Sequence, residues 1–95
     1  MNILAIGGSD PSSGAGIQSD ILASRELGAN CFSVITAITA QNSKEFIHAE
    51  DVSVKSIQLQ IESIFSDFDL SVITIGMVHN IPRSEEHTSE LQSLA

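Results

Sequence analysis

Basic residues are scarce in this chain of 95 residues: Lys and Arg total 4 against 12 Asp and Glu, a formal charge of -8. Phosphate contacts need a basic face, so this balance excludes nucleic acid as a partner. Cysteine occurs once, as Cys31. That excludes an internal disulfide, fits a reducing compartment and leaves the thiol a packing role. No apolar run approaches the ~20 residues of a membrane span, and the amino terminus lacks the basic segment and cleavage site of a secretory signal. No membrane partner and a cytoplasmic location are therefore expected. His48, His79 and His87 have no metal-ligand spacing among them, so no metal site is expected. Aromatic residues make up only 4% of the chain while hydrophobic residues reach 42%. This composition suits β-α-β units whose parallel strands are covered on both faces.

The most informative stretch is Gly7-Gly8-Ser9-Asp10-Pro11-Ser12-Ser13-Gly14-Ala15-Gly16-Ile17-Gln18-Ser19-Asp20. It follows a short apolar run, Asn2 to Ile6, that reads as a buried strand. Paired glycines at a strand's end open backbone torsions closed to other residues and let a ligand approach the main chain. Asp10-Pro11-Ser12-Ser13 has turn chemistry throughout, with Pro11 fixing its own φ and pushing Asp10 out of the helical region. Gly14-Ala15-Gly16 opens a helix in which Ile17, Ile21 and Leu22 are expected to face a sheet, with Gly28 at its carboxyl-terminal cap.

Strand, glycine-rich loop and helix together suit several chemistries, and three can be removed. A phosphate-cradling P-loop requires G-x-x-x-x-G-K-[ST], and no lysine stands near the loop. The dinucleotide fingerprint G-x-G-x-x-G, counted from Gly14 and Gly16, ends on Ser19. A nucleophile elbow G-x-S-x-G fails at two positions of Gly7 to Pro11. Two readings stay open on the residues alone: a βα turn whose glycines serve only packing, and a ligand loop.

Further along, Ser33 to Ala40 is rich in β-branched residues and reads as a second strand, ended by Gln41-Asn42-Ser43. In a parallel sheet ligands bind beyond the carboxyl ends of strands, which makes Gln41 and the glycine loop spatial neighbours. Lys44 to Asp51 is mixed and polar and reads as a connecting segment or flap. From Asp51 or Ser53, a helix is expected in which Val54, Ile57, Ile61, Ile64, Phe65 and Phe68 form one apolar stripe. Ser71 to Ile75 reads as a third strand. The expected order is β-α-β-α-β with a parallel sheet and right-handed crossovers.

The loop wording G-G-S-D-P-S-S-G-A-G-I-Q-S-D resembles the amino-terminal signature of the hydroxymethylpyrimidine and phosphomethylpyrimidine kinases of thiamine biosynthesis, in the ribokinase-like superfamily. Ser33 to Asn42 is similar to that family's next strand and loop, and Ile75-Gly76-Met77 to a third block. The resemblance implies an α/β fold, the N-terminal β-α-β-α-β part of a three-layer α/β/α sandwich with a parallel sheet. It implies phosphoryl transfer from ATP, with Mg²⁺, to a pyrimidine's hydroxymethyl group and then to its monophosphate, by an enzyme that as a whole can be a homo-oligomer. A substituted aminopyrimidine needs a carboxylate or amide in the plane of its ring. Asp20 and Gln41 are of those types and match positions that bind the pyrimidine in the resembled family. Gly8, Thr39 and Met77 match ligand-approach and pocket-lining positions. The catalytic residues, the nucleotide site and the metal site belong to the family's carboxyl-terminal half, so the chain by itself is expected to be an inactive fragment. Two alternatives remain: a fragment of a pyridoxal or pyridoxine kinase, against which Gln41 and the complete D-P-S-S-G-A-G loop argue, and a non-catalytic small-molecule-binding domain.

Residues 83–95 stand apart from residues 1–82. From Arg83 the wording R-S-E-E-H-T-S-E-L-Q-S resembles the translation of a widely used sequencing-library adapter, and it is expected to be a non-native tail. Re-reading the source DNA across this stretch after adapter trimming checks the expectation; survival of the tail in an independent clone refutes it. Without Arg83, Glu85, Glu86 and Glu90 the remaining charge is -6, so the exclusion of nucleic acid stands.

Overall fold

The computed structural model describes residues 1–76. It runs β1 (Asn2–Ser9), α1 (Gly16–Glu26), β2 (Asn30–Gln41), β3 (Phe46–Asp51), α2 (Val54–Phe65) and β4 (Val72–Ile75). The strands form one sheet in the order β3-β2-β1-β4. β1 pairs in parallel with both β2 and β4, whereas β3 lies antiparallel to β2.

The α/β class expected from the sequence holds, but the sheet is mixed and the order is β-α-β-β-α-β. The segment read as a flap, Lys44 to Asp51, contains the extra strand. Asn42 makes the reversal: its Oδ1 accepts from the backbone N–H of Lys44 at 2.9 Å and of Glu45 at 3.1 Å, and its own N–H donates to the Glu45 carbonyl at 3.0 Å. An asparagine that bonds its own following backbone is an effective turn former. β3 escaped recognition because it is an edge strand with exposed residues on both faces, so no apolar alternation marks it. Met77 and the tail from 83 lie outside the described residues.

The two helices cover opposite faces. Leu4, Ile6 and Val34 pack against Ile57 and Ile61 of α2, with Ile64, Phe65 and Ile73 at the margin. Side chains alternate along a strand, so Ala5 and Gly7 point the other way. On that side Ile17 of α1 lies 3.7 Å from where a Gly7 Cβ would be. Ile17 is buried, but Leu22, expected beside it, is 56% exposed. Five residues from Ile17 at 100° each is 140° off the stripe; the buried face runs through Ile17 and Ser24 instead. α1 ends as expected at Gly28: its φ is 78°, its N–H donates to the Arg25 carbonyl, and that of Ala29 donates to the Ser24 carbonyl, each at 3.0 Å. This is the Schellman arrangement. Ser53 caps α2 by accepting from the Ser56 N–H at 3.1 Å. α2 closes at Phe65; Phe68, read as part of its stripe, stacks on Phe32 with ring centroids 4.1 Å apart.

The β1–β2 register shifts between Gly7 and Gly8, leaving Thr36 as the extra residue on β2. β3 begins pairing only at Ala37, so Ile35 has no strand on that side. Gln60 of α2 replaces it: its Oε1 accepts from the Ile35 N–H at 2.9 Å and its Nε2 donates to the Ile35 carbonyl at 3.0 Å. Gln60→Ala strands both backbone groups. A loss of about 2 kcal/mol in urea unfolding is expected, and a loss under about 0.5 kcal/mol would refute the role.

Candidate functional site

The site is built where β1 ends and α1 begins. Asp10, Pro11, Ser12 and Ser13 form a turn closed by Ser13 N–H donating to the Asp10 carbonyl at 3.0 Å, with Ser13 at φ 63°. The Asp10 side chain is 3% exposed and turned inward. Its carboxylate accepts from the Ser12 N–H at 2.9 Å, the Ser12 hydroxyl at 2.7 Å and the Ala15 N–H at 2.8 Å. The Ser12 hydroxyl and N–H, followed by the loop amides, hold this carboxyl below its ordinary pKa, against an opposing effect of burial. The Asp10 N–H donates to Gln18 Oε1 at 2.7 Å, and Gln18 Nε2 donates to the Ser9 hydroxyl at 2.7 Å. The Ser12 and Ala15 amides are therefore occupied by the chain's own carboxylate, and those of Ser13 and Asp10 by the Asp10 carbonyl and Gln18. Sequence reading singled out neither Asp10 nor Gln18 for this role, although a D-P-S-S turn holds the signal: an aspartate able to bond backbone two residues on.

Two loop glycines serve different ends. At Gly16, φ is +65° and an added Cβ would meet the Gly8 carbonyl oxygen at 2.5 Å, so the strand and helix termini approach closely only because Gly16 is glycine. At Gly8 an added Cβ would meet only the Ala37 carbonyl oxygen, at 3.8 Å, an ordinary contact. Packing does not demand glycine there; it leaves Gly8's main chain open to the space in front of it.

That space is a cleft of about 330 Å³ lined by Gly7 to Asp10, Ala15, Gly16, Ser19, Asp20, Thr39, Gln41, Phe46 and Gly76. Gly8, Asp20, Thr39 and Gln41, all named from the sequence, thus meet around one volume. Thr39 is buried, and its hydroxyl donates to the Ser9 carbonyl at 2.6 Å and accepts from Gln41 Nε2 at 2.8 Å. Phe46 was missed together with β3; it pairs directly with Gln41, so recognising the Asn42 turn would have found it. The cleft combines the Asp20 carboxylate, the Gln41 amide, main chain and the Phe46 ring, with the second carboxylate, Asp10, already engaged by Ser12 and Ala15, a donor and acceptor set fitted to a small planar polar ring.

A model of the phosphomethylpyrimidine kinase family matches residues 10–94. The chain belongs to that family. Among its phosphomethylpyrimidine kinase relatives, the hydroxymethylpyrimidine/phosphomethylpyrimidine kinase of Rhizobium meliloti strain 1021 is 48% identical over 75 residues, covering 79% of this chain and 28% of that protein. A probable thiamine biosynthetic bifunctional enzyme of Oryza sativa is 42% identical over 80 residues, 84% of this chain and 15% of that one. The chain therefore spans less than a third of the length of these two relatives. The solved phosphomethylpyrimidine kinase of Clostridium difficile 630 superposes with a TM-score of 0.94 at 41% identity, over 99% of this chain and 41% of that chain. The pyridoxal kinase of Staphylococcus aureus in complex with pyridoxal gives 0.84 at 24% identity, over 97% and 35%, a likeness of fold alone. No helix among the described residues is long and apolar enough to cross a membrane.

Proposed function

We propose that this chain carries the pyrimidine-binding part of an ATP-dependent kinase of thiamine biosynthesis, which phosphorylates 4-amino-5-hydroxymethyl-2-methylpyrimidine and its monophosphate. The observation that supports it most is the convergence of Gly8, Asp20, Thr39 and Gln41 on one cleft at the carboxyl ends of parallel strands. Asp20 and the Gln41 amide would meet the ring's amino group and nitrogens edge-on, the main chain at Gly8 would lie against the ligand, and Phe46 would lie along the ring. Met77 is proposed as a further lining residue.

The described residues do not fit a nucleotide–metal site. No group of three His, Cys, Asp or Glu among them is placed to hold a metal ion, and the Ser12 and Ala15 amides of the loop already serve the Asp10 carboxylate. We accordingly place ATP and Mg²⁺ handling, and the group that activates the hydroxyl, in the portions of the family's proteins that this chain does not span. No phosphoryl transfer is expected from these residues alone. A cytoplasmic site of action agrees with the single cysteine and with a phosphorylated product.

Calorimetric titration with the hydroxymethylpyrimidine tests the reading. Gln41→Ala and Asp20→Asn are each expected to weaken binding by about tenfold to a hundredfold, the worth of one or two lost hydrogen bonds, one of them charge-assisted in the Asp20 case. Wild-type affinity in both variants would sink the assignment.

A further inference from the structure

The cleft holds a short hydrogen-bonded chain whose direction is fixed by chemistry. The Thr39 hydroxyl lies 2.6 Å from the Ser9 carbonyl oxygen. A carbonyl oxygen only accepts, so Thr39's single proton is committed there. Toward Gln41, 2.8 Å away, the same hydroxyl is left with lone pairs only. The end of the Gln41 amide that meets it must therefore be the –NH₂. An amide's two ends are hard to tell apart by shape, but here the carbonyl of Ser9 decides between them. Gln41 Oε1, for which no hydrogen-bond partner is found among the described residues, is the end of the amide left for a ligand in the cleft that Gln41 lines.

We propose that Thr39 is a positioning residue that sets the polarity of Gln41, so that the site presents a hydrogen-bond acceptor there and selects rings bearing an N–H donor at the matching position. The inference rests on the pyrimidine reading and extends it from which residues touch the ring to which ring they accept. Selection follows because an acceptor facing an acceptor leaves both desolvated and unpaired. The same pyrimidine with an oxo group in place of its amino group sets two oxygens against each other. Thr39 is buried and anchored to β1, so the Gln41 amide cannot turn over without leaving Thr39 Oγ1 without its donor.

The test is a pair of calorimetric titrations, with the 4-amino pyrimidine and its 4-oxo counterpart, on protein expressed from the whole reading frame. The wild type is expected to bind the amino compound at least about tenfold tighter. Thr39→Val keeps the shape and removes the hydroxyl, freeing the amide to rotate; the amino-to-oxo ratio is expected to fall about tenfold. Thr39→Ser is expected to restore it. A merely structural role for Thr39 would weaken both compounds together and leave the ratio unchanged, which would overturn the inference while the pyrimidine reading stands. Binding of neither compound by the wild type overturns the pyrimidine reading and this inference with it. Hydrogen exchange of the Gln41 side-chain amide in the wild type needs no variant: one slowed Nε2 proton is expected, and rapid exchange of both overturns the proposal.

Discussion

Gly16→Ala is expected to cost about 3 kcal/mol or more, enough to abolish a cooperative unfolding transition in a domain of marginal stability. Two penalties add. The residue sits at φ +65°, where a side chain costs about 1–2 kcal/mol by itself. The new Cβ would then stand 2.5 Å from the Gly8 carbonyl oxygen, a backbone atom of a central strand that cannot turn aside as a side-chain tip would. Relief requires β1 and α1 to separate at the point where the cleft begins, so binding is lost with the fold. Gly28→Ala separates the two penalties: φ is +78°, but nothing lies within 4 Å of the added atom. Only the torsional cost of about 1 kcal/mol is expected there. Urea unfolding of both variants reads the difference, and equal losses would show that the Gly8–Gly16 approach is unimportant.

The second large effect is expected at Asp10. Its carboxylate organises the loop by accepting three hydrogen bonds from Ser12 and Ala15, so Asp10→Ala should leave those donors unpaired and weaken pyrimidine binding on the order of a hundredfold. Asp10→Asn is nearly as damaging, because an amide offers one acceptor and sets its –NH₂ against a donor. The pH dependence has a definite sign. The folded carboxyl titrates below its ordinary value, since its hydrogen-bond donors favour the charged form. Its contribution is therefore complete above the unfolded-chain value near pH 4 and is lost as pH falls below that, through the folded value. Urea midpoints of the wild type should decline below about pH 4, and the decline should flatten in Asp10→Asn. A variant as steep as the wild type would assign the acid sensitivity elsewhere.

The parts of this architecture that local chemistry dictates were legible in the sequence. Gly28 marked the end of α1 because few other residues take its torsion, and Ile57 and Ile61 marked the buried face of α2 by their spacing. Gln41 and the glycine loop could be brought together because a parallel sheet gathers strand ends and loops at one edge, whereas Asp20 and Thr39 were named through the family resemblance. What stayed hidden depends on partners distant in the chain. β3 has no pattern of its own and becomes a strand by pairing with β2. Gln60 looks like any polar helix residue until Ile35 is seen beside it without a strand on the β3 side. Leu22 is apolar by composition and exposed by geometry, since periodicity, not hydrophobicity, decides which face is covered.

The inward carboxylate of Asp10 also governs how the loop responds to its surroundings. It is an anion tethered to the amides it satisfies, and a tethered ligand competes at an effective concentration far above that of any free ion in solution. Dissolved phosphate, sulfate or carboxylates compete with it at a disadvantage. The order of the turn is thus supplied from within the chain, by the bonds that Ser12 and Ala15 donate to Asp10. A ligand entering the cleft meets a surface that is already ordered, so little of its binding free energy is spent on arranging the loop.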